Sequence, residues 1–286
     1  MSVKVAVRVR PFNPREKQLK SKLCVDMKDN STIVEDEDGK PRVFTFDYSF
    51  WSHDEFIEEE NGYMRAEGTK YADQMAVYRS VGEEVLRNAW DGYHCCLFAY
   101  GQTGSGKSYS MIGYGSNKGI VPISSEEIFK RIHGNTDTKV NYEVSVSMLE
   151  IYNEKIQDLL IDSGDRVKGG LKVRESKTLG VYVEGLSAYR VNDYEEIAAK
   201  MDEGSRNRSI GATEMNAHSS RAHTIITINF MQKTLQDNGR TVEKISVINL
   251  VDLAGSEKAS KTNATGDRLK EVNHKLTLRE VRSINH

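Results

Sequence analysis

Apolar and polar residues alternate along Val3–Arg10, with Val3, Val5, Val7 and Val9 interleaved with Lys4, Ala6, Arg8 and Arg10. That two-residue period predicts a half-buried strand. Arg42–Phe50 alternates in the same way, and the acidic turn Glu35–Lys40 before it predicts a solvated hairpin tip. Ser52–Thr69 is polar and acidic and reads as a surface insertion. From Gln74 to Trp90 the apolar residues Met75, Val77, Tyr78, Val81, Val85, Leu86 and Ala89 recur at helical spacing. Tyr93–Tyr100 is a nearly continuous apolar run, the pattern of a strand buried on both faces of a sheet. Further helices are predicted over Ser124–Ile132, Asp193–Asn207 and the charge-rich Ala264–Ile284. Strands are predicted over Val140–Tyr152, Ala222–Lys233 and Val242–Asp252, the last two joined across Asp237–Asn238–Gly239, a hairpin signal. Strands alternating with helices predict one α/β domain, a central mostly parallel or mixed β-sheet with helices on both faces.

Composition narrows the class. The chain has 286 residues, 40 basic against 42 acidic, a net charge of −2. This is enough chain for a sizeable core without disulfide or metal staples. The near-zero charge argues against a general polyanion binder, so no nucleic-acid partner is expected. No apolar run approaches about 18 residues, so no transmembrane segment is expected. The N-terminus lacks the apolar core of a secretory signal. Three cysteines, two of them adjacent (Cys95, Cys96), give no disulfide framework and fit a reducing compartment. Seven histidines show no metal-ligand spacing.

The chemistry concentrates in Gly101–Ser108, GQTGSGKS, which matches G-x-x-x-x-G-K-[ST]. Backbone N–H groups that converge on phosphate oxygens need glycines free to take positive φ. Lys107 then reaches the β/γ-phosphates and Ser108 offers its hydroxyl to Mg²⁺, with the following helix adding its positive end. Downstream, the apolar strand Ile245–Leu250 runs into Val251–Asp252–Leu253–Ala254–Gly255. A strand ending in Asp beside a phosphate loop reads as the second metal-holding element, Asp252 acting through water and the Gly255 N–H sensing the γ-phosphate. Asn216–His223, NAHSSRAH, reads either as a γ-phosphate-responsive loop or as a Ser-rich surface loop, and composition leaves both open.

VRVRPFN (Val7–Asn13), FAYGQTGSGKSYSM (Phe98–Met111), LEIYNEKIQDLL (Leu149–Leu160), NAHSSRAH and DLAGSE (Asp252–Glu257) occur together, and in this order the chain resembles a kinesin motor domain from Val3 to about Lys270. The loop Gly113–Pro122 is similar to that of the cargo-transporting third class. The resemblance implies a P-loop nucleotidase fold that hydrolyses ATP with Mg²⁺. Arg8, Arg10 and Pro11 would flank the adenine and Tyr109 would stack on its other side. Gln102, Thr103, Gly104, Ser105, Gly106, Lys107 and Ser108 would wrap the phosphates. Ser219 and Ser220 would form the first switch, Ser220 on the metal side, and Asp252–Glu257 the second. Arg221 would pair with Glu257 once ATP is bound, and Glu257 would accept the attacking water's proton. The DxxG at Asp252–Gly255 also fits a GTPase, but no Asn-Lys-x-Asp guanine reader is present.

The implied partner is the microtubule, with residence in the cytoplasm on the cytoskeleton. A cargo or dimer partner would attach through a coiled-coil stalk and tail outside this sequence. Ser256–His286 carries seven basic residues (Lys258, Lys261, Arg268, Lys270, Lys275, Arg279, Arg282) against four acids, and this is the region that would face acidic tubulin. Lys172, Arg174 and Lys177 lie in what would be a second contact loop; a solvated face of mixed charge is the competing reading. Two departures stand out. Ala222 replaces the fourth residue of the usual SSRSH. After Arg268–Leu269–Lys270–Glu271, Val272–Thr277 follows where the family has a glycine and a longer helix, and the track-binding segment, a central strand, the last helices and the neck linker are not found. The sequence therefore reads as a C-terminally incomplete motor domain with a divergent end over 256–286. A truncated, non-motile head that binds nucleotide or tubulin without turnover is the alternative.

Overall fold

The computed structural model describes residues 3–177, 180–210 and 221–257. The chain divides into two compact units, Met1–Glu84 with Ile112–Ile120, and Val85–Met111 with Val121–His286. The predicted helix over Ala264–Ile284 lies outside the described residues.

The first unit starts with β1 (Ala6–Val9) and α1 (Pro14–Gln18). An antiparallel sheet of β2 (Val25–Lys28), β3 (Ser31–Glu35) and β4 (Pro41–Thr45) follows, then β5 (Tyr48–Trp51), which pairs in parallel with β1. The single strand predicted over Arg42–Phe50 is thus two strands in different sheets. The break falls at Phe46–Asp47, where Phe46 N–H bonds to the Asn30 carbonyl and Asp47 N–H to that of Val5. Pairing with β5 begins only at Ala6, which leaves Val3 and Val5 exposed instead of half-buried. The tip before β4 forms as predicted, with Lys40 N–H donating to Asp36 Oδ1 at 2.9 Å. The polar stretch Ser52–Thr69 contains a small hairpin, β6 (Phe56–Glu58) with β7 (Met64–Ala66). Asp73 caps α2 (Gln74–Val77) by accepting from Ala76 N–H, and a π turn over Tyr78–Gly82 leads into α3 (Glu83–Trp90).

The second unit takes up the chain at Val85, within α3, and continues with β8 (Cys95–Ala99) and α4 (Lys107–Met111). The two-residue strands β9 (Gly113–Tyr114) and β10 (Asn117–Lys118) belong to the first unit, so Gly113–Pro122 is not a plain loop. Next comes α5 (Ile120–His133), which starts four residues before the predicted Ser124, as its Ile120 shows. Pro122 is tolerated there because first-turn N–H groups have no helical acceptor. Then follow β11 (Val140–Tyr152), β12 (Lys155–Asp158), β13 (Lys172–Ser176), β14 (Gly180–Glu184), β15 (Tyr189–Val191), α6 (Tyr194–Ile210), β16 (His223–Leu235) and β17 (Thr241–Asp252). Asp193 caps α6 through Glu196 N–H at 2.8 Å. The predicted hairpin closes with Gln236 N–H on the Arg240 carbonyl.

The main sheet runs β12-β11-β16-β17-β8, with β15 beside β11. It is mixed: tight turns force β11–β12 and β16–β17 antiparallel, and among the described strands of this sheet only β17–β8 is a parallel pair. Register places Val144, Phe230 and Ser246 in one row of a face and Leu149, Ile225 and Val251 in a row of the other. The first face receives α3 and α6. Trp90 packs on Phe230 at 4.6 Å, Ser246 Oγ and Gln232 Nε2 bond the Ala89 and Trp90 carbonyls, and Arg208 reaches Thr224 Oγ1. The Ser246 and Gln232 bonds supply donors from the sheet at the end of α3, where the Ala89 carbonyl also takes the Gly92 N–H at 3.1 Å. The second row packs against Leu171, Val183, Leu186 and Leu253 from loops and the β13–β14 hairpin.

β8 corrects the reading of Tyr93–Tyr100 as a fully buried strand. Phe98 is 40% exposed and Tyr100 75%, because among the described residues β8 is the terminal strand of the sheet and pairs only with β17. Cys95 is half-buried there, and desolvation pushes its thiol up to about 11, so it stays protonated. No helix among the described residues is long and apolar enough to cross a membrane.

Phe230 is fully buried between Trp90 and Tyr142. Phe230→Ala should cost about 3–5 kcal/mol of stability through lost transfer energy and a cavity. Urea unfolding checks this, and a loss under about 1 kcal/mol would contradict the assigned core.

Candidate nucleotide site

The parallel pairing of β17 with β8 sets Asp252 beside Ala99, so both strands release their chains at the same end of the sheet. Ligand crevices in open α/β sheets form at such carboxyl ends. The turn after β8 is tight: Ser105 N–H bonds to the Gln102 carbonyl, and Gly106 takes a φ of 93°, which a side chain would strain. The loop folds back over Lys107, whose Nζ donates to the Gly101 and Gln102 carbonyls at 2.9 and 3.0 Å. Burial pulls the Lys107 pKa down, while the charges of Asp252 and Glu257 push the other way.

The segment after β17 is laid along this loop. Leu253 N–H bonds to the Ala99 carbonyl and Ser256 N–H to that of Gly101, extending the contact beyond the strands. Ser108 Oγ donates to Asp252 Oδ2 at 2.5 Å. The other carboxylate oxygen, Asp252 Oδ1, is buried and has no hydrogen-bond partner among the described residues. A buried anionic oxygen without a donor is costly, and a cation beside it would satisfy it. The hydroxyl–carboxylate pair therefore fits a hard divalent ion such as Mg²⁺, which takes oxygen ligands.

Glu257 reaches Thr103, accepting from its N–H at 2.9 Å and from its hydroxyl at 2.5 Å. Gly255 lies so close that an added Cβ would collide with the Glu257 carboxylate and Thr103 Oγ1. The structure thus brings together Gly101, Gln102, Thr103, Lys107, Ser108, Asp252, Gly255 and Glu257. Gly104, Ser105 and Gly106 complete the loop, and Tyr109 follows on α4.

Arg8, Arg10 and Pro11 belong to the first unit. Arg8 bonds Ser52 Oγ, Gln74 Oε1 and the Ala72 carbonyl. Arg10 forms a two-pronged pair with Glu16 at 2.7 Å for each prong. Asn13 and Glu16 form a capping box on α1, so the same carboxylate also accepts from Asn13 N–H. Ser219, Ser220, Lys258, Lys261, Arg268, Lys270 and Lys275 lie outside the described residues. Arg221 lies just before β16. Lys172, Arg174 and Lys177 lie on the exposed β13 hairpin, where Arg174 pairs with Glu184 at 3.0 Å.

Two contacts had no signal in the sequence. One is Glu257 on Thr103, 154 residues apart. The other is His223 Nδ1 accepting from Ala254 N–H at 3.1 Å, which ties the end of NAHSSRAH to the segment after β17.

The family model for the kinesin motor domain matches residues 8–277. This chain belongs to the kinesin motor-domain family. Kinesin-related protein 1 of Dictyostelium discoideum is 47% identical over 291 residues, covering 95% of this chain and 12% of that protein. Human kinesin-like protein KIF13A is 46% identical over 288 residues, covering 96% and 15%. Rat kinesin-like protein KIF1A is 47% identical over 285 residues, covering 96% and 16%. The kinesin-family chain thus spans between 12% and 16% of the length of these relatives. Among solved structures, KIF14 with ADP in complex with a microtubule superposes with a TM-score of 0.81 at 40% identity, over 95% of this chain and 75% of that one. The KIF14 two-heads-bound dimer with AMP-PNP on a microtubule gives 0.82 at 40% identity, over 100% and 74%. A fast kinesin gives 0.79 at 33% identity, over 99% and 71%.

The Arg10–Glu16 pair has a pH signature. The Arg10 side chain first, and Asn13 N–H second, hold the Glu16 carboxyl down to about 2, below its ordinary 4.5. A depressed carboxyl contributes stability above 4.5 that is lost as the pH falls toward 2. Wild type should therefore exceed Glu16→Gln in melting temperature near neutrality, and the difference should vanish by about pH 2. A difference that grew on acidification would refute the pairing.

Proposed function

We propose that this kinesin-family chain hydrolyses Mg-ATP and works as a microtubule-stimulated ATPase and motor head on the cytoskeleton. The observation that carries the reading is the Ser108–Asp252 pair beside Lys107, with the buried Asp252 Oδ1 lacking a donor among the described residues. Ser108, Ser220 and Asp252 would hold Mg²⁺, Asp252 through water, and the ion would neutralise charge developing on the phosphates.

The chain's own groups do the rest. Backbone N–H groups of Gly101–Ser108 grip the phosphates, and Lys107 places a positive charge against the β/γ-bridge. Phosphoryl transfer requires positioning and charge stabilisation more than covalent chemistry. Ser219, Ser220 and the Gly255 N–H are assigned to the γ-phosphate. Glu257 is assigned as acceptor of the attacking water's proton, kept ionised by Arg221. Arg8, Arg10, Pro11 and Tyr109 are assigned to the adenine, and ATP is favoured over GTP because no guanine reader exists in the sequence.

Removal of the γ-phosphate would release the loops that it holds, an order–disorder change able to reach the track-binding face. That face is assigned to Lys172, Arg174 and Lys177 and to Lys258, Lys261, Arg268, Lys270 and Lys275. The microtubule in both KIF14 structures supports this partner. The Dictyostelium, KIF13 and KIF1 relatives support a motor role, and the likeness of Gly113–Pro122 to the cargo-transporting class extends it to transport.

Phosphate release from Mg-ATP, with and without microtubules, tests the reading. Strong stimulation is expected; slow release insensitive to microtubules would favour the non-motile alternative. Lys107→Ala should abolish nucleotide binding. Glu257→Ala should retain ATP and lose at least about a hundredfold in turnover, the scale of a general base. Parental turnover in Glu257→Ala would refute the assigned proton path.

A further inference from the structure

The amides of a phosphate loop are donors built for anionic oxygens. In this chain one of them already binds one: Thr103 N–H donates to Glu257 Oε2, and the Thr103 hydroxyl donates to Oε1. A carboxylate offers two anionic oxygens on one carbon, much as a phosphate offers oxygens on phosphorus. Its delivery is not accidental. Leu253 N–H on the Ala99 carbonyl and Ser256 N–H on the Gly101 carbonyl fix the length of chain between β17 and Glu257. Gly255 leaves the space that the carboxylate and the Thr103 hydroxyl occupy. Lys107 also lies near enough for the Glu257 charge to act on it.

We propose that Glu257 caps the phosphate loop from within the chain, competing with nucleotide phosphate for the Thr103 donors, so that Thr103 is a positioning residue for Glu257 and nucleotide loading requires the carboxylate to leave. The inference rests on the nucleotide reading of Gly101–Ser108. One N–H cannot serve both anions at full strength, and two negative groups at one donor repel each other. The group that makes turnover possible is thereby also the group that opposes entry. A charge-assisted bond favours the cap, while its exposure to solvent keeps it modest, so its removal should tighten binding by about three- to tenfold.

The experiment is a titration of the full chain with Mg-ADP. Glu257→Gln, which keeps shape and loses charge, should bind ADP about three- to tenfold tighter than wild type. Thr103→Ser keeps both donors, so the gain from Glu257→Gln should persist in that background. In a Thr103→Val background, which keeps the amide and loses the hydroxyl, the gain from Glu257→Gln should shrink, a coupling that a merely structural role would not produce. Wild-type or weaker ADP binding by Glu257→Gln would overturn the cap. With ADP still bound by wild type and lost in Lys107→Ala, the nucleotide reading would survive that failure. No ADP binding by any variant would sink both.

Discussion

Everything at the site depends on one pairing: β17 lies parallel to β8 with Asp252 opposite Ala99. Because the strands run the same way, their exits coincide, and the two loops that follow are forced to share a crevice. The bonds from Leu253 and Ser256 to Ala99 and Gly101 carry that register past the strand ends. A slip by one residue would turn every side chain of β17 to the other face. It would move Asp252 away from Ser108 and Glu257 away from Thr103. Burial of Leu149, Ile225 and Val251 in one row and Phe230 in the other holds the register in place.

Within that frame the electrostatics are economical. Lys107 is the positive group between two carboxylates, and its desolvation is opposed by both. Its ammonium is held by carbonyls of its own loop, so the cation is aimed without a rigid charged partner. The Ser108–Asp252 pair leaves one buried carboxylate oxygen facing a place where only a cation or donor makes physical sense. Chemistry of this kind requires preorganised charge, and here the sheet, not the loops, supplies the organisation.

The β11, β16 and β17 strands and the Asp237–Gly239 turn were legible because long alternating runs bounded by a tight turn admit few other conformations. GQTGSGKS was legible for a related reason: its glycines answer a local backbone demand. Elsewhere the local pattern misled. Arg42–Phe50 keeps one alternation through two strands, because a change of sheet partner leaves no mark on periodicity. Tyr93–Tyr100 reads as buried on both faces, yet its exposure depends on what lies beside β8, which composition cannot specify. The hydrogen bonds of Arg8 to Gln74 and of Arg10 to Glu16 likewise depend on packing within the first unit, which no local pattern marks.

The sequence by itself determined the chemical inventory: a glycine-bearing loop with Lys107 and Ser108, an Asp at the end of an apolar strand, and an acid five residues beyond it. It did so because spacing within about ten residues is fixed by local backbone geometry. Only the tertiary structure decided which groups meet. Thr103 and Glu257 are separated by 154 residues, and Ser108 and Asp252 by 144. No local pattern encodes those distances; they follow from strand order and register, which are settled by burying the whole sheet at once.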